Sequence, residues 1–469
     1  MRTYHLNAAD KTPLYEQLYR SLRQDILSGV IVGGEKLPSR RQLATHLHIS
    51  QMTVETAYNQ LLEEGYLIAM PRKGYFVQRQ LISPPPPTIA ASPPFLPRPS
   101  HTCRYDFRIN AVDTECFPFS TWARLSRQVL SQYAEKLLYI VEPNGIAELR
   151  EEIRRYLYNF RGLNISVSNI LIGAGSEYLL PMILQLLGTR RIYALENPGY
   201  RKLYQIFARN GATVRPLPLD DKGLRVDTLE QSDAEIVYLT PSHHFPLGTV
   251  MPIARRLELL RWVNAAPNRY IIEDDYDSEF RYVSRPIPPL GELDHTNRVI
   301  YVNTFAKSLT PSLRIGYCVL PNDLTAQCRA LFSLYSSTVP SLEQYTLAEF
   351  MRTGSFERHI SRSRKIYQAR RDTLLSALQK EFTSIPYSVS GEEAGLHILL
   401  SVRNGMDEAT LIERAMSASV RVYALSNYYD EPIQPPPSTL LLGYAGMTEE
   451  QITEAVRLLR EVWKWHRFY

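Results

Sequence analysis

Short apolar runs, separated by longer amphipathic segments, recur through the middle of the chain. They lie at 170–172, 191–194, 235–239, 270–272 and 299–302. Runs of this kind predict buried strands, and the segments between them, such as 254–264, have helical spacing. Strands that alternate with helices predict a doubly wound α/β sheet. From about Gly354 onward a helix at 448–465 and a strand at 396–400 predict a second, smaller domain.

Residues 1–80 have a different pattern, in which helical stretches precede two short strands. The predicted elements are a helix from Leu14 to a stop at Gly29, a helix from the N-cap Ser39 to about Leu47, a helix over 51–63 capped by Ser50, and strands at 65–68 and 74–77. Two helices joined by a short turn can lay the second one into the DNA major groove. The two strands would form a wing, so this part predicts a winged helix-turn-helix.

A proline-rich segment separates these two patterns. Consecutive prolines stand at 84–87, and others follow at 93–94, 97 and 99. Such a run lacks the backbone donors of a helix or central strand and behaves as a semi-rigid polyproline spacer. We therefore expect a DNA-binding head at 1–80, a linker at 81–104 and a larger domain at 105–469.

Composition and charge change this picture little. The 469 residues carry a formal net charge of +5. Residues 1–80 contain ten Lys and Arg against seven Asp and Glu, a net of +3, so any contact with DNA must use a local basic surface. The four cysteines show no metal-type spacing and suit a reducing compartment. We expect a cytoplasmic protein, because the polar start is no signal peptide and no apolar run reaches membrane-spanning length.

The clearest chemical signal is Lys307, in a Ser/Thr-rich turn after the strand 299–302. A lysine that forms an imine needs a cofactor aldehyde, a carboxylate for the pyridine nitrogen and a cation for the phosphate. Asp274, at the end of the strand 270–272, supplies the carboxylate, and Arg314 supplies the cation. A lysine is ordinarily a surface charge, but these strand-end positions favour a pyridoxal phosphate (PLP) site.

Further residues extend the predicted cofactor site. Gly175 and Ser176 lie between a strand and a helix, where backbone amides attract an anion, although such glycines also simply make tight turns. Thr304 opens the turn that carries the lysine. Tyr276 is placed to reach the phenolic oxygen of the cofactor and Tyr200 to form the pocket wall. In a chain with 30 tyrosines, plain packing is the alternative role for both.

From Tyr105 to the C-terminus the chain resembles the fold-type I aminotransferase family. The motif Glu-Asp-Asp-Tyr-Asp-Ser-Glu-Phe at 273–280, with Thr-Pro-Ser-His at 240–243, resembles its MocR-type regulator branch. Residues 37–44 and 53–58 resemble the DNA-binding domain of the GntR family. The resemblance implies a PLP-binding fold with a large and a small domain, a homodimer with the cofactor site at the subunit interface, and an operator with two half-sites.

The predicted DNA contacts are spread over the head. They are Arg40 and Arg41 on the first short helix, Gln51, Thr53 and Tyr58 on the second, and Arg72 and Lys73 on the wing. For each of them, ordinary surface is the alternative. The GntR resemblance implies an arginine where Gln51 stands. Because glutamine reads adenine and arginine favours guanine, Gln51 suggests an altered half-site.

Several positions depart from the aminotransferase pattern. Leu441 stands where the resemblance implies an arginine that holds the substrate carboxylate. Its absence argues against transamination of amino acids and against γ-aminobutyrate as an effector. Phe245 replaces the asparagine that bonds the pyridine hydroxyl, and His244 replaces a glutamine of the regulators. We expect His243 or His244 to supply the missing contact, with ordinary surface as the alternative.

The sequence thus predicts a transcriptional regulator whose aminotransferase-like domain binds PLP and senses an amine, an amino acid or the cofactor itself. It would control vitamin B6 or amino-acid metabolism. Two alternatives stay open: a true PLP-dependent aminotransferase with a DNA-binding appendage, in which half-transamination persists, and a cofactor-free scaffold. Lys202, Arg201 and Arg421 are candidate effector contacts by charge and rough placement only. No metal site is expected.

Overall fold

A computed structural model describes residues 2–79, 103–109, 111–113, 115–283 and 287–464. The chain forms two compact units, residues 1–100 and 101–469. Most of the predicted proline-rich linker, residues 81–102, lies outside the described residues.

The first unit has the predicted order of three helices and a two-stranded ribbon. Its elements are α1 (Leu14–Leu27), α2 (Arg40–Leu47), α3 (Gln51–Glu63), β1 (Leu67–Met70) and β2 (Gly74–Val77). Ser39 and Gln42 form a capping box that starts α2, and Ser50 accepts a hydrogen bond from the Thr53 amide at the start of α3. The strands pair antiparallel, and one apolar core joins the helices to the ribbon. The predicted winged helix-turn-helix is confirmed.

The second unit is a larger mixture of helices and strands. Its helices are α4 (Phe119–Gln132), α5 (Ala147–Arg161), α6 (Ser176–Leu187), α7 (Arg201–Arg209), α8 (Val226–Gln231), α9 (Ile253–Asn264), α10 (Leu290–Leu293), α11 (Phe305–Ser308), α12 (Asn322–Leu331), α13 (Ser341–Arg352), α14 (Ser355–Glu381), α15 (Glu408–Ser417) and α16 (Glu449–Trp463). Short 3₁₀ turns lie at Lys136–Leu138, Val167–Asn169, Pro311–Leu313 and Ser426–Tyr428.

The strands of this unit form a large sheet, a small sheet and a short separate pair. They are β3 (Tyr105–Asp106), β4 (Ile170–Gly173), β5 (Ile192–Asn197), β6 (Thr213–Asp220), β7 (Gly223–Leu224), β8 (Ile236–Leu239), β9 (Tyr270–Asp274), β10 (Val299–Thr304), β11 (Gly316–Val319), β12 (Tyr387–Ser390), β13 (His397–Val402), β14 (Val420–Arg421), β15 (Tyr423–Ala424) and β16 (Thr439–Gly443).

The large sheet has the strand order β4-β11-β10-β9-β8-β5-β6-β7. Strands β6, β5, β8, β9 and β10 run parallel, and β11 runs antiparallel to both of its neighbours. The first four residues of strand β9 are buried, as in a central parallel strand, and the last, Asp274, is partly exposed. The predicted doubly wound fold is confirmed. It brings the carboxyl ends of β5, β8, β9 and β10 to one edge, where such sheets bind ligands.

The C-terminal part forms the predicted smaller domain. Its sheet has the order β12-β13-β16-β15, and α14 and α16 cover it through a separate apolar core. The segment at Tyr105 belongs here as well, because β3 pairs in parallel with β14.

Two kinds of feature, a membrane-crossing helix and a metal-binding cluster, are absent from the described residues. No helix there is long and apolar enough to cross a membrane. No group of three or more His, Cys, Asp or Glu in the part of the chain that the structure describes is arranged to hold a metal ion. The four cysteines are free thiols.

Candidate functional site

A cavity of about 240 Å³ opens at the carboxyl ends of β5, β8, β9 and β10. Eight of the nine predicted cofactor residues line it: Gly175, Ser176, Tyr200, Asp274, Tyr276, Thr304, Lys307 and Arg314. The ninth, His243, does not line the cavity but contacts Tyr276. The fold therefore brings together residues that the sequence supplies from distant segments.

Lys307 reaches the cavity from α11, directly after β10. The Thr304 hydroxyl accepts a hydrogen bond from the Ala306 amide and so starts this short helix. The Lys307 Nζ donates to the Ile109 carbonyl at 3.3 Å. Burial lowers the pKa of Lys307 to about 8, although the Asp277 carboxylate acts in the opposite direction. A larger fraction of this amine is therefore a neutral nucleophile at neutral pH than for an exposed lysine.

Asp274 lies at the end of β9, on the floor of the cavity. Its carboxylate accepts a hydrogen bond from the Tyr238 hydroxyl. Burial, together with the neighbouring carboxylates Asp275 and Asp277, raises the pKa of Asp274 to about 7 against the effect of the Tyr238 hydrogen bond. A cation bound next to Asp274 would restore its charged form, and a protonated pyridine nitrogen is such a cation.

Glu196 is another carboxyl group that lines the cavity, and it was not among the predicted site residues. It accepts hydrogen bonds from the Thr240 amide at 3.0 Å and the Thr240 hydroxyl at 2.8 Å. Burial, with a smaller contribution from the Asp274 carboxylate, raises the pKa of Glu196 to about 8 against the effect of the Thr240 hydrogen bonds. Glu196 begins the segment 196–200, in which only Tyr200 was predicted to line the site. Its position at the end of an apolar strand is the sequence signal that could have identified Glu196.

An anion could bind where β4 ends and α6 begins. Gly175 has φ +84°, a conformation that favours glycine, and a Cβ at this position would lie 3.1 Å from the Arg314 Nη2 and would press on the guanidinium. Arg314 itself has a left-handed backbone, and its Nη2 donates to the Ala174 carbonyl at 3.3 Å. Among the described residues, the amides of Ser176 and Glu177 donate to no other group. These amides and Arg314 suit a phosphate.

Behind the cavity wall, the His243 ring contacts one carboxylate and one phenol. Its Nδ1 lies 2.8 Å from the Asp277 Oδ2 and 3.1 Å from the Tyr276 hydroxyl. Burial and the Asp277 charge raise the pKa of Tyr276 well above its usual value, so the hydroxyl keeps its proton. His244 contacts a different lining residue, with its Nε2 3.6 Å from the Glu196 carboxylate, and burial lowers the pKa of His244 to about 3. Each of the two histidines therefore contacts a residue that lines the cavity, His243 through Tyr276 and His244 through Glu196.

Asp275, which follows Asp274 in the chain, forms a buried ion pair with Arg161. Arg161 Nη2 lies 2.7 Å from the Asp275 Oδ2, and the hydroxyls of Tyr301 and Ser278 donate to the same carboxylate. Both charged side chains are almost fully buried. Removing one partner would leave an uncompensated buried charge, so this pair fixes the backbone on which Asp274 stands.

Leu441 and Phe245 belong to one apolar cluster, of which Phe245 but not Leu441 lines the cavity. Leu441 is fully buried on β16, in a cluster with Ile109 and Leu425. Phe245 lines the cavity and packs edge-on against the Tyr200 ring, with centroids 5.6 Å apart. This side of the cavity therefore presents carbon, which does not bind a carboxylate.

The three candidate effector contacts lie outside this cavity lining. Lys202 Nζ forms an ion pair with the Glu177 Oε1 at 2.5 Å. Arg421 lies 3.9 Å from the Asp106 carboxylate, and Arg201 is exposed at the start of α7.

In the first unit, most of the predicted DNA contacts lie at the surface. Arg41, Gln51, Arg72 and Lys73 are exposed, whereas Arg40 and Thr53 are half-buried. Arg40 forms an ion pair with Glu55 on α3. The exposed face of α3 also contains Met52, Thr56 and Asn59, which the sequence analysis did not identify although they follow helical spacing.

Tyr58 is a correction to the sequence analysis. It was expected to contact DNA, but its side chain is fully buried and its hydroxyl donates to the Pro38 carbonyl at 3.0 Å. Its ring packs edge-on against Tyr75 of the ribbon. Tyr58 shares a helix face with Val54 and Leu61, and it therefore belongs to the core of this unit.

Family models match both parts of the chain. Residues 14–77 match the model for bacterial regulatory proteins of the gntR family. Residues 106–459 match the model for class I and II aminotransferases. Among solved structures, an archaeal alanine:glyoxylate aminotransferase superposes with a TM-score of 0.69 at 25% identity, over 76% of this chain and 90% of that one.

Full-length relatives share the same combination. An uncharacterized HTH-type transcriptional regulator YdeL of Bacillus subtilis is 41% identical over 98% of this chain and 99% of its own length. The probable rhizopine catabolism regulatory protein MocR of Rhizobium meliloti is 30% identical over 96% of this chain and 93% of its own. The chain belongs to the MocR-type subfamily of GntR transcriptional regulators. Another relative, at 30% identity over 90% of each chain, is the pyridoxine biosynthesis transcriptional regulator PdxR of Corynebacterium glutamicum.

These comparisons give the cavity a context. Class I and II aminotransferases normally bind PLP, and in this MocR-type chain the cavity lies in the matching part, residues 106–459. The gntR-type head is a DNA-binding module.

Proposed function

We propose that this transcriptional regulator binds PLP in the cavity and uses it to sense a small molecule. One observation carries the proposal: Asp274 at the end of β9 lines the same cavity as Lys307 and Arg314, which both lie between β10 and β11. An amine, a carboxylate and a guanidinium are the groups that the aldehyde, the ring nitrogen and the phosphate of PLP require. A coincidence of three surface charges would not place them around one concave site at a sheet edge.

Each end of the cofactor has a partner among these residues. Lys307 would attach to the aldehyde carbon, Asp274 would hold a proton on the ring nitrogen, and Tyr276 would donate to the ring oxygen. The phosphate would bind to Arg314 and to the amide of Ser176 at the start of α6. When bound, PLP supplies an aldehyde on which one amine can be exchanged for another.

The effector is an amine, an amino acid or the cofactor itself. Phe245 lines the cavity and Leu441 is buried in the cluster behind it, so neither position offers a cation for a carboxylate. This favours an amine or the cofactor as the effector. The relative named as a pyridoxine biosynthesis regulator supports vitamin B6 metabolism as the target, with amino-acid metabolism as the alternative.

We further propose that the head at 1–80 binds operator DNA in the cytoplasm, and that the spacer at 81–104 tethers it to the effector domain at 105–469. The exposed face of α3, including Gln51, would enter the major groove. Arg41 on α2 and Arg72 and Lys73 between β1 and β2 would contact phosphates.

A homodimer is the expected assembly. Leu138, Ile140 and Leu334 are 86%, 84% and 96% exposed in the second unit. The two segments that carry them are adjacent, because the Ser337 amide donates to the Val141 carbonyl at 3.2 Å. An apolar surface of this kind is typical of a protein interface, and two heads would match an operator with two half-sites.

The test is the visible absorption spectrum of the purified protein and of Lys307→Ala during titration with PLP and then with candidate amines. We expect a band in the wild type that is absent in Lys307→Ala and that one amine shifts. A wild type without any such band after added PLP would refute cofactor binding. Repeated turnover of an amino acid and a keto acid would instead identify an aminotransferase.

A further inference from the structure

A carboxylate lies in the part of the cavity that would bind the phosphate. Glu177, on the first turn of α6, lines the cavity together with Gly175 and Arg314. Its Oε2 is 3.5 Å from the Arg314 Nη2, and its Oε1 is 2.5 Å from the Lys202 Nζ. The guanidinium that would hold the phosphate is therefore already paired with a negative charge.

The ordinary explanation for Glu177 is that acidic residues stabilise the first turn of a helix. That explanation accounts for its charge but not for its position, because an acidic side chain on this turn has no need to contact the guanidinium in the cavity. Glu177, Arg314 and Lys202 are 40%, 44% and 46% exposed, so solvent reaches all three and a small anion could as well.

The charges of this cluster set the strength of phosphate binding. Two cations and one carboxylate leave a single net positive charge opposite a phosphate monoester, which is close to doubly negative at neutral pH. A phosphate bound to Arg314 would lie near the Glu177 carboxylate, because the Glu177 Oε2 is 3.5 Å from the Arg314 Nη2. The repulsion between like charges a few ångströms apart in a partly exposed site amounts to about one or two powers of ten in affinity.

We propose that Glu177 weakens the hold on the cofactor phosphate, so that the cofactor binds reversibly and occupancy of the site follows its free concentration. This inference rests on the proposed function, and it makes Glu177 a residue that sets the working range of a PLP sensor. A PLP enzyme needs a permanently held cofactor, whereas a sensor of PLP needs one that leaves.

The experiment compares the dissociation constants of PLP and of pyridoxal, which lacks the phosphate, for cofactor-free wild type, Glu177→Gln and Glu177→Ala. Each ligand condenses through its aldehyde with the Lys307 amine and releases one water, so the absorption change reports both. Glu151→Gln is the matched control, because Glu151 is 42% exposed, is paired with Arg154 and does not line the cavity.

We expect both Glu177 variants to bind PLP on the order of tenfold more tightly than the wild type, with a gain that shrinks as salt is raised. Pyridoxal affinity should not change in any variant, and Glu151→Gln should match the wild type for both ligands. The double variant Glu177→Gln/Lys202→Met, which restores the wild-type net charge, should return PLP affinity to within a few-fold of the wild type.

Three results would overturn the inference and leave the proposed function standing. Equal PLP affinity in the wild type and the Glu177 variants would show that the carboxylate does not oppose the phosphate. A gain in Glu177→Gln that Glu177→Ala does not share would assign the effect to a new amide donor. An equal gain for pyridoxal would place the effect away from the phosphate. Failure of every protein to bind PLP would refute the proposed function and this inference with it.

Discussion

At the scale of single residues, burial decides which side chains do chemistry and which hold the fold. Lys307, Asp274 and Glu196 are titratable groups with shifted pKa values around one cavity. Groups perturbed in this way concentrate at functional sites because desolvation alters their reactivity. Tyr58 is the opposite case, because burial makes it a structural residue on a helix that is expected to bind DNA.

The rate of cofactor attachment should depend on pH through Lys307. Its lowered pKa of about 8 means that attachment speeds up as the pH rises through 8 and then levels off, because the neutral amine is the reactive form. Near pH 7 roughly a tenth of the amine is neutral, about 300 times the fraction in an ordinary lysine. Stopped-flow absorbance after mixing with PLP measures this rate.

A substitution of Asp277 tests whether the pKa of Lys307 sets the pH dependence of the attachment rate. Its carboxylate raises the pKa of Lys307, so Asp277→Asn should move the midpoint of the profile to lower pH. A wild-type rate that keeps rising beyond pH 10 would contradict the lowered pKa.

Replacing Tyr58 should affect stability and leave DNA recognition unchanged. Tyr58→Phe loses the hydrogen bond to the Pro38 carbonyl, and we expect the head to lose about 1 kcal/mol of unfolding free energy. Tyr58→Ala should cost about 3–5 kcal/mol, because a large core side chain is removed. Denaturant unfolding measures the loss. Fluorescence anisotropy with selected operator DNA should show wild-type affinity for Tyr58→Phe and weaker binding for Gln51→Ala. The reverse order would contradict the assignment of Tyr58 to the core and of Gln51 to the DNA-binding face.

The sequence could predict individual residues where one local pattern carried the signal. Tyr58 lies on the same face of α3 as Val54 and Leu61, so helical spacing alone places it in the core. The contact between Glu177 and Arg314 could not be predicted in this way, since it joins the start of α6 to the segment before β11. Such contacts exist only after the sheet has formed.

At the scale of elements, the strand-end positions of the site followed from the apolar runs, and the helices lie close to the predicted bounds. The antiparallel insertion of β11 between β4 and β10, and the pairing of β3 with β14, were not predictable. Strand pairing between distant segments depends on the whole fold, whereas a run of apolar residues is a local property.

Substitutions of Leu441 on β16 test whether this residue stabilises the small domain or occupies a ligand site. Leu441→Ala should cost about 2–5 kcal/mol by leaving a cavity in the cluster with Ile109 and Leu425. Leu441→Met, which keeps the volume, should cost less than about 1.5 kcal/mol. Leu441→Arg should destabilise more than either, because it buries an unpaired cation. Urea unfolding measures all three, and a stable Leu441→Arg that gains a response to amino acids would show that this position is a dormant ligand site.

At the scale of the whole molecule, regulation requires a change around Lys307 to reach α3 in a separate unit. A ligand can shift the protein between two states only by the difference in its affinity for them. If the state is defined by how two copies of the chain are paired, the apolar surface formed by Leu138, Ile140 and Leu334 becomes essential to DNA binding.

The double variant Ile140→Asp/Leu334→Asp should separate the proposed dimer into monomers, because it places two charges in an apolar contact. Analytical ultracentrifugation should show half the wild-type mass, and affinity for an operator with two half-sites should fall on the order of a hundredfold, since the second head no longer benefits from the first. Ile253→Asp is the control, because Ile253 is 57% exposed on α9 and should leave both properties unchanged. A monomeric wild type with full operator affinity would mean that each head acts alone, and signalling would then have to pass within one chain.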